Sequence, residues 1–228
     1  GSFQEFSVAH IPHIKICCIS GIQEAKTAVR AGASVLGLVG RMPSGPGVID
    51  DNRIREIAAS VPSGVATWLL TSETTADAII QHHQRVHTTG IQMVDQLQQG
   101  SYRQIRKALP GVDLIQVIHV VNEESVKLAE SVSIHVDAVL LDSGNPNLEV
   151  KKLGGTGRIH DWRISQRIRK RINKPLFLAG GLTPDNISRA VRAVNPYGVD
   201  ICSGVRSNGK LDQEKLNRLV KAVKISYS

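Results

Sequence analysis

The sequence predicts an α/β fold, a single (β/α)8 barrel of eight parallel strands, and three observations carry this prediction. Eight short apolar runs alternate with longer amphipathic stretches along the chain. Its 228 residues fit one barrel domain of this kind. No proline- or serine-rich linker divides the chain, so we expect one domain over 1–228, with residues 1–12 as a poorly ordered or artificial N-terminal extension.

The predicted strands are near-continuous apolar runs, the pattern of parallel strands buried on both faces. In chain order they are residues 14–18, 35–39, 65–70, 91–94, 114–118, 138–141, 176–179 and 199–202. Between them apolar residues recur at helical spacing, which predicts helices at residues 24–31, 52–60, 75–86, 102–109, 123–131, 161–172, 185–194 and 212–223. Two connections are long, 40–50 and 143–160, and both follow strands, on the side where such a barrel places its active site.

Composition excludes several classes of function. No apolar run reaches the roughly 18 residues that a membrane helix needs, and no secretory pattern is visible at the N-terminus. The three cysteines, two of them adjacent, make a poor disulfide framework, which indicates reduced thiols and a cytoplasmic protein. The sequence has no Cys-x-x-Cys pair and no histidine-rich spacing, so we predict no metal ion.

Much of the net charge of +8 lies on and just after the predicted helix 161–172. The basic residues are Arg163, Arg167, Arg169, Lys170, Arg171 and Lys174. Ile164, Ile168 and Ile172 recur at helical spacing on the same helix, which favours a solvated outer face and an isoleucine stripe packed on the sheet. Nucleic-acid binding is the alternative, but aromatic residues are only 4% of the chain and do not interleave with the basic ones. We therefore expect neither a nucleic-acid nor a membrane partner.

The last two predicted strands both run directly into glycine. Gly180 and Gly181 follow the seventh strand, and Ser203 and Gly204 follow the eighth. Glycine lets the backbone approach a ligand closely, and N–H groups at a helix start bind anions. Thr183 is a good N-cap, with a proline after it, so we expect a helix to start there. Because a (β/α)8 barrel builds its phosphate site from these two loops, the sequence predicts a small-molecule ligand that carries a phosphate.

Polar side chains at strand ends point toward the substrate in this topology, and here they are Cys17, Gln92, His119, Asp142 and Asp200. Cys17 and Asp142 each close an apolar strand, so a thiol and a carboxyl group could exchange protons with a small sugar. The alternatives are a buried apolar thiol for Cys17, a loop cap for Asp142 and a hydrogen-bonded structural residue for His119. Because adjacent side chains on a strand alternate, Cys17 and not Cys18 is expected to face the barrel interior.

Six segments in chain order together resemble one family. They are Lys15-Ile16-Cys17, Leu140-Leu141-Asp142-Ser143, Gly154-Gly155-Thr156-Gly157 with Asp161-Trp162, Leu178-Ala179-Gly180-Gly181-Leu182, Pro196-Tyr197-Gly198-Val199-Asp200 and Ser203-Gly204-Val205. This series resembles phosphoribosylanthranilate isomerase, a barrel enzyme of tryptophan biosynthesis. The resemblance covers almost the whole chain from Ile14 and is strongest from Asp137 onward.

The resemblance implies an Amadori rearrangement of N-(5-phosphoribosyl)anthranilate to the corresponding 1-deoxyribulose 5-phosphate, without metal or organic cofactor. It implies that Asp142 is the general acid at the ring oxygen and opens the aminofuranose to an iminium. Cys17 is then the general base at the C2 hydrogen, which gives an enolamine that becomes the ketone.

The resemblance also implies how the substrate is held. Backbone N–H groups around Gly181, Ser203 and Gly204 bind the phosphate, beside Gly180 and Asp200. The loop 154–157, with Gly155 and Gly157, closes over the substrate.

Three positions depart from the family pattern. The loop after the second strand usually carries an arginine suited to the anthranilate carboxylate, but here glycine, proline and glycine follow Ser44, and Arg41 is the candidate replacement. The fourth strand usually reads Gln-Leu-His-Gly, and only its Gln92 remains. Cys18 replaces the glycine that usually follows the catalytic cysteine. The candidate substrate contacts are Arg41, Gln92 and His119.

These residues predict an aldose–ketose isomerase and leave two alternatives open. One is a related barrel isomerase that acts on another sugar phosphate. The other is a non-catalytic barrel that binds a phosphate ligand or a nucleic acid. The sequence does not determine the oligomeric state.

Overall fold

The structure, a computed structural model, describes residues 12–144 and 161–226, and its eight main strands form a closed parallel barrel. They are β1 His13–Ile16, β2 Val35–Val39, β3 Ala66–Thr71, β4 Gly90–Met93, β5 Asp113–His119, β6 Ala138–Asp142, β7 Leu176–Ala179 and β8 Gly198–Ile201. Each strand pairs with the next, and β8 pairs with β1, with Ile16 opposite Ile201. The predicted (β/α)8 barrel is confirmed.

Helices alternate with the strands around the outside of the barrel. They are α1 Ile22–Ala31, α2 Asp51–Ser60, α3 Ala76–Val86, α4 Tyr102–Ala108, α5 Glu124–Ser133, α6 Arg163–Arg171, α7 Ile187–Val194 and α8 Gln213–Ile225. Four of them begin after an N-cap residue whose side-chain oxygen accepts a hydrogen bond from the backbone N–H three residues later. This bond satisfies an N–H group that has no partner within the helix. These caps are Asp50, Thr75, Ser101 and Asp212.

Alternation along the strands divides the apolar side chains into two layers. One set packs between the sheet and the helices, and the other fills the barrel interior, where Trp68 and Phe177 meet edge to face with ring centroids 4.8 Å apart. The same alternation turns Lys15, Gln92 and Asp200 to the interior. The barrel is therefore apolar around Trp68 and Phe177 and polar nearer the carboxyl ends of its strands.

The bounds of β1 and α7 differ from the prediction for reasons that the structure shows. β1 ends at Ile16, because Cys18 has a left-handed φ of +63° that no strand contains. α7 starts at Ile187, after a turn in which the hydroxyl oxygen of Thr183 accepts from Asn186 N–H at 3.3 Å and Asn186 Oδ1 accepts from Thr183 N–H at 2.8 Å. Thr183 therefore caps the turn that leads into the helix.

An antiparallel hairpin between β8 and α8 was not predicted. It pairs β9 Arg206–Ser207 with β10 Lys210–Leu211, and both turn residues, Asn208 and Gly209, have positive φ. Asn-Gly is the preferred sequence for such a two-residue turn, so the sequence did carry the signal. The hairpin positions Arg206 next to the end of β1.

The basic helix α6 packs as the isoleucine stripe predicts. Ile168 and Ile172 are buried, while Arg167 pairs with Glu123 and Arg171 pairs with Glu130. No helix among residues 12–144 and 161–226 is both long and apolar enough to cross a membrane. Residues 1–11 of the expected extension, and Gly155 and Gly157 of the expected closing loop, lie outside the described residues.

Candidate active site

The predicted site residues that the structure describes lie at the carboxyl end of the barrel. Cys17 follows β1 directly, Gln92 is on β4, His119 ends β5, Asp142 ends β6 and Asp200 is on β8. The two glycine segments follow β7 and β8, and Ser203 and Gly204 belong to a single 3-10 turn, Ser203–Val205. The topology brings these strand ends to one face, as predicted.

A buried ion pair that the sequence analysis missed lies beside Cys17. Lys15 Nζ is 2.9 Å from Asp200 Oδ2, and no part of the lysine side chain is exposed. Burial lowers the pKa of Lys15, but Asp200, Cys17 and Cys18 together outweigh it, so the net pKa is raised and the amine stays protonated. Burial also raises the pKa of Asp200, although Lys15 opposes that change. The sequence feature that indicates such a pair is Lys15 itself, a charged residue inside an apolar strand.

Gly37 on β2 leaves the space that Cys17 and Lys15 share. A Cβ at residue 37 would be 2.7 Å from Cys17 Sγ and 3.1 Å from Lys15 Cε. Both side chains therefore pack against the same stretch of bare backbone, and the thiol is close to the lysine's terminal carbons. No other residue type fits at this position without moving one of them.

The Cys17 thiol has the environment of a reactive cysteine. It is buried, and its pKa is lowered by a hydrogen bond from Cys18 and by the positive charge of Lys15, against the opposing effects of burial and Asp200. A cation and a hydrogen-bond donor beside a thiol favour the thiolate, the form that acts as base or nucleophile.

Cys17 faces the barrel interior beside Lys15 and Gly37, but Cys18 does not point directly away from it as strand alternation predicts. The strand has already ended, and the left-handed backbone of Cys18 turns its thiol back toward its neighbour and toward Cys202, whose Sγ is 2.7 Å away. Cys17, Cys18 and Cys202 form one group, which we call the thiol cluster. The alternation rule applies only to extended backbone, so the sequence could not show this contact.

Arg206 holds the backbone of the thiol cluster. Its Nη2 donates to the carbonyl oxygens of Cys17 at 3.1 Å and of Cys18 at 2.9 Å, while Glu24 accepts from the same guanidinium. The side chain of Arg206 is almost fully buried. These hydrogen bonds fix the left-handed conformation of Cys18, and the local sequence does not predict them.

Asp142 stands at the end of β6 with its two carboxylate oxygens in different surroundings. Oδ1 accepts from Gly144 N–H at 3.2 Å, which is the loop cap considered above. Oδ2 is 3.6 Å from Nδ1 of His119, whose Nε2 lies 3.1 Å from the carbonyl oxygen of Val94. Asp142 is half-buried, so it caps the loop and still reaches the barrel mouth.

The loops after β7 and β8 lie against each other. Gly180 and Gly181 have φ of +104° and +64°, and a Cβ on Gly204 would collide with the carbonyl oxygen of Leu182. Within residues 12–144 and 161–226, the N–H groups of Gly181, Ser203 and Gly204 donate to no acceptor. Two adjoining loops with free N–H groups can bind an anion.

The remaining candidate contacts differ in burial. Gln92 is buried in the barrel, and no described residue donates to its Oε1. Arg41 is exposed in the loop after β2. That loop reaches the thiol cluster, because Cys18 Sγ is 3.7 Å from the carbonyl oxygen of Pro46. Among the described residues no group of three histidine, cysteine or acidic side chains is arranged to hold a metal ion.

Comparisons with known proteins match this chain to one family. A family model described as PRAI, N-(5′-phosphoribosyl)anthranilate (PRA) isomerase, matches residues 14–222. The N-(5′-phosphoribosyl)anthranilate isomerase 2 of Methanosarcina mazei is 35% identical over 216 residues, which are 94% of this chain and 95% of that protein. The N-(5′-phosphoribosyl)anthranilate isomerase of Nostoc punctiforme is 35% identical over 208 residues, which are 90% of this chain and 95% of that protein.

Solved structures give the same result. The phosphoribosyl anthranilate isomerase of Thermotoga maritima superposes with a TM-score of 0.77 and 26% identity, covering 93% of this chain and 98% of that one. A phosphoribosyl anthranilate isomerase in complex with reduced 1-(o-carboxyphenylamino)-1-deoxyribulose 5-phosphate gives a TM-score of 0.74 and 25% identity, with coverage of 93% and 98%.

Proposed function

The chain belongs to the N-(5′-phosphoribosyl)anthranilate isomerase family, and we propose that Cys17 and Asp142 perform this isomerisation at its barrel mouth. The protein is an aldose–ketose isomerase of tryptophan biosynthesis. The comparisons do not favour the alternatives of another sugar phosphate or of a non-catalytic barrel.

One observation carries the assignment of the acid and the base. Cys17 follows β1 and Asp142 ends β6, while Asp200 lies on β8, between these two strands in the closed barrel. Only β7 and β8 separate the strands that carry them, and the free N–H groups follow those same two strands. A sugar phosphate anchored there extends over Asp200 with one reactive group at each side.

The phosphate serves to orient the reacting carbons. We assign it to the N–H groups of Gly181, Ser203 and Gly204, with Gly180 leaving room for the close approach. Binding energy from this remote group reduces the entropic cost of placing C1 and C2 between the acid and the base. Gly155 and Gly157 are proposed to close over the bound substrate.

Ring opening is assigned to Asp142. In its protonated form it donates to the ring oxygen, the C1–O bond breaks, and the nitrogen lone pair forms the C1=N iminium. Oδ2 is the oxygen that faces away from the Gly144 cap and toward His119, so it is the oxygen assigned to deliver the proton. The step leaves Asp142 as a carboxylate.

Proton transfer at carbon is assigned to Cys17. Its thiolate removes the C2 hydrogen, and the C–H electrons form C1=C2 while the iminium becomes a neutral enolamine. Lys15 stabilises the thiolate, and the iminium lowers the barrier by accepting the electrons. The Cys17 thiol then protonates C1, and the Asp142 carboxylate takes the C2 hydroxyl proton, which yields the ketone and restores both groups.

The anthranilate side of the substrate is assigned to Arg41, Gln92 and His119. Arg41 can offer a guanidinium to the carboxylate, and the free Oε1 of Gln92 can accept from a substrate hydroxyl. These contacts replace the arginine and the histidine that the family pattern places in this region.

Turnover of N-(5′-phosphoribosyl)anthranilate tests the proposal directly. The purified protein should remove the fluorescence of this substrate far faster than buffer does, and Cys17→Ala should be close to buffer. A soaked phosphate ion should occupy the loops after β7 and β8. Equal rates with and without the wild-type protein would refute the activity, and a phosphate bound elsewhere would refute the assigned anchor.

A further inference from the structure

Two thiols that the proposed mechanism does not use as acid or base touch each other across the β1–β8 pairing. Cys202 Sγ lies 2.7 Å from Cys18 Sγ, and the two residues follow strands that are hydrogen-bonded to one another, with Cys17 N–H donating to Ile201 O at 2.9 Å. A disulfide requires the two Cβ atoms to face each other at short range. Thiols already in contact meet that requirement with little backbone movement.

The surroundings give the two thiols different chemical roles. Cys202 is partly exposed, whereas Cys18 is buried. The contact with Cys18 lowers the pKa of Cys202, and the positive charge of Arg206 lowers it further, although burial opposes both. The contacts with Cys17 and Cys202 raise the pKa of Cys18, as does its burial. Cys202 is therefore the more accessible and the more acidic of the two thiols, and Cys18 is the thiol held against it.

We propose that Cys18 and Cys202 are a modification site that a peroxide converts to a disulfide, which reversibly lowers the isomerase activity. In the first step the Cys202 thiolate attacks the peroxide O–O bond, becomes a sulfenic acid and releases hydroxide or alkoxide. In the second step the Cys18 sulfur displaces the sulfenic oxygen, which leaves as water with the Cys18 proton. The peroxide is reduced, and the two thiols lose two electrons and two protons.

The disulfide reaches the catalytic centre through Cys18, which lies against Cys17 in the thiol cluster and lowers its pKa as a hydrogen-bond donor. Cys18 has a single S–H proton, and the disulfide removes it, so Cys18 can no longer donate to the Cys17 sulfur. The Cys17 thiolate then keeps Lys15 and the backbone N–H of Cys18 as stabilising partners. A hydrogen bond to a charged group is worth roughly ten- to a hundredfold in equilibrium, and a thiol is a weak donor. We expect the oxidised enzyme to lose about tenfold in kcat/KM near neutral pH.

Peroxide reaches Cys202 before it reaches Cys17, which favours oxidation of the Cys18–Cys202 pair over oxidation of Cys17. Cys17 is buried on the barrel side of the thiol cluster, while Cys202 reaches solvent. The neighbouring Cys18 traps the sulfenic acid before a second peroxide reaches it. Cys17 is thus preserved, and a thiol reductant restores the enzyme.

The covalent part of the proposal is tested on the full-length protein with limiting hydrogen peroxide and peptide mapping. Trypsin places Cys17 and Cys18 in peptide 16–26 and Cys202 in peptide 193–206. The expected product is these two peptides joined, with the loss of two hydrogen atoms. Cys17→Ser assigns the bond, because this variant should still form it through Cys18. Sulfinic acid at Cys202, or loss of the link in Cys17→Ser, would overturn the proposal.

The activity part rests on the proposed function and is measured separately. Wild-type turnover should fall with formation of the joined peptide and return with dithiothreitol. Cys202→Ser, compared with its own untreated activity, should resist the same peroxide dose. Equal and reversible inactivation of Cys202→Ser would overturn the switch. Failure of the isomerase assay leaves the mapping result intact, so the two failures are distinguishable.

Discussion

Lys15 stands opposite Asp200 in the register of β1 and β8, and its ammonium nitrogen lies 2.9 Å from Asp200 Oδ2. The pair is inside the barrel, directly below the proposed base. A buried pair of this kind adds little to stability by itself, but removal of one partner is costly. Its main effect here is to keep a positive charge close to the Cys17 sulfur.

Replacement of this cation should change the pH dependence of turnover. Lys15→Met removes a charge that favours the Cys17 thiolate, so the pKa of Cys17 should rise and the acidic limb of the kcat/KM profile should move to higher pH. The free energy of unfolding should fall by about 3–5 kcal/mol, because Asp200 loses its buried partner. Lys26→Met, at an exposed lysine on α1, is the control; an unmoved pH profile in Lys15→Met would rule out the electrostatic role.

Removal of the proposed acid or base should reduce the rate strongly. Cys17→Ala and Asp142→Asn should each lose about 10²–10⁴-fold in kcat, the usual contribution of a positioned proton donor or acceptor. Neither residue is assigned to the phosphate, so the affinity for a phosphorylated product analogue should stay near wild type in calorimetry. A variant with near wild-type kcat would remove that residue from the mechanism.

A single methyl group on β2 should displace the base. Gly37→Ala places a Cβ 2.7 Å from Cys17 Sγ, so the thiol must move away from Lys15, and kcat should fall by about 10²-fold, as small misplacements of reacting groups do. Gly21→Ala is the matched control, because nothing lies within 4 Å of its Cβ. Equal kinetics for the two variants would show that the Cys17 position is not restrictive.

The His119 imidazole should titrate above its ordinary range. Its hydrogen-bonding contact with Asp142 raises the pKa, burial opposes this, and the Val94 carbonyl and the charge of Asp95 add to the increase. The folded state therefore binds the proton more tightly than the unfolded chain. The resulting stabilisation of the folded state is fully present below the pKa of His119 in the unfolded chain, and it is lost as the pH rises through the pKa of His119 in the folded protein. The effect is small, because 54% of the side chain is exposed.

Nuclear magnetic resonance measures this directly. The His119 midpoint should lie above about 6.5, the value for an unperturbed histidine. Asp142→Asn should bring it down, and Asp95→Asn should have a smaller effect in the same direction. A midpoint that Asp142→Asn leaves in place would contradict the contact.

Loss of the Arg41 guanidinium should affect substrate binding and not the chemical step. Arg41→Ala should raise KM for N-(5′-phosphoribosyl)anthranilate by roughly tenfold with little change in kcat, because a uniform binding contact is removed. Arg55→Ala, at an exposed arginine on α2, should change neither constant. A normal KM in Arg41→Ala would mean that another cation meets the anthranilate carboxylate.

The barrel could be predicted because its elements are encoded locally. Apolar runs of strand length and helices with one apolar face alternate eight times, and each pattern can be recognised within its own stretch of sequence. The strand ends then follow from topology alone, which is why Asp142 and Asp200 could be assigned to the barrel mouth. Gly180 and Gly204 could be assigned in the same way, since their role depends on the backbone.

The thiol cluster could not be predicted, because it depends on one backbone angle and one distant side chain. The positive φ of Cys18 changes the direction that strand alternation assigns to its side chain, so Cys18→Ala should weaken the Cys17 base. Arg206, which holds this conformation, is far away in sequence. Pairing of Lys15 with Asp200 likewise follows from the β1–β8 register and from no local pattern.

The closure of the barrel between its first and last strands has a consequence for the order of folding. Cys18 and Cys202 are 184 positions apart, and Lys15 obtains its counterion only when β8 pairs with β1. A chain with seven strands in place already contains Cys17 and Asp142 but lacks Asp200, Arg206 and half of the phosphate anchor. Contacts of such long sequence separation form late. In a refolding sample, the recovery of activity should therefore report when β8 pairs with β1 and closes the barrel, whereas the recovery of helical signal should report the earlier steps.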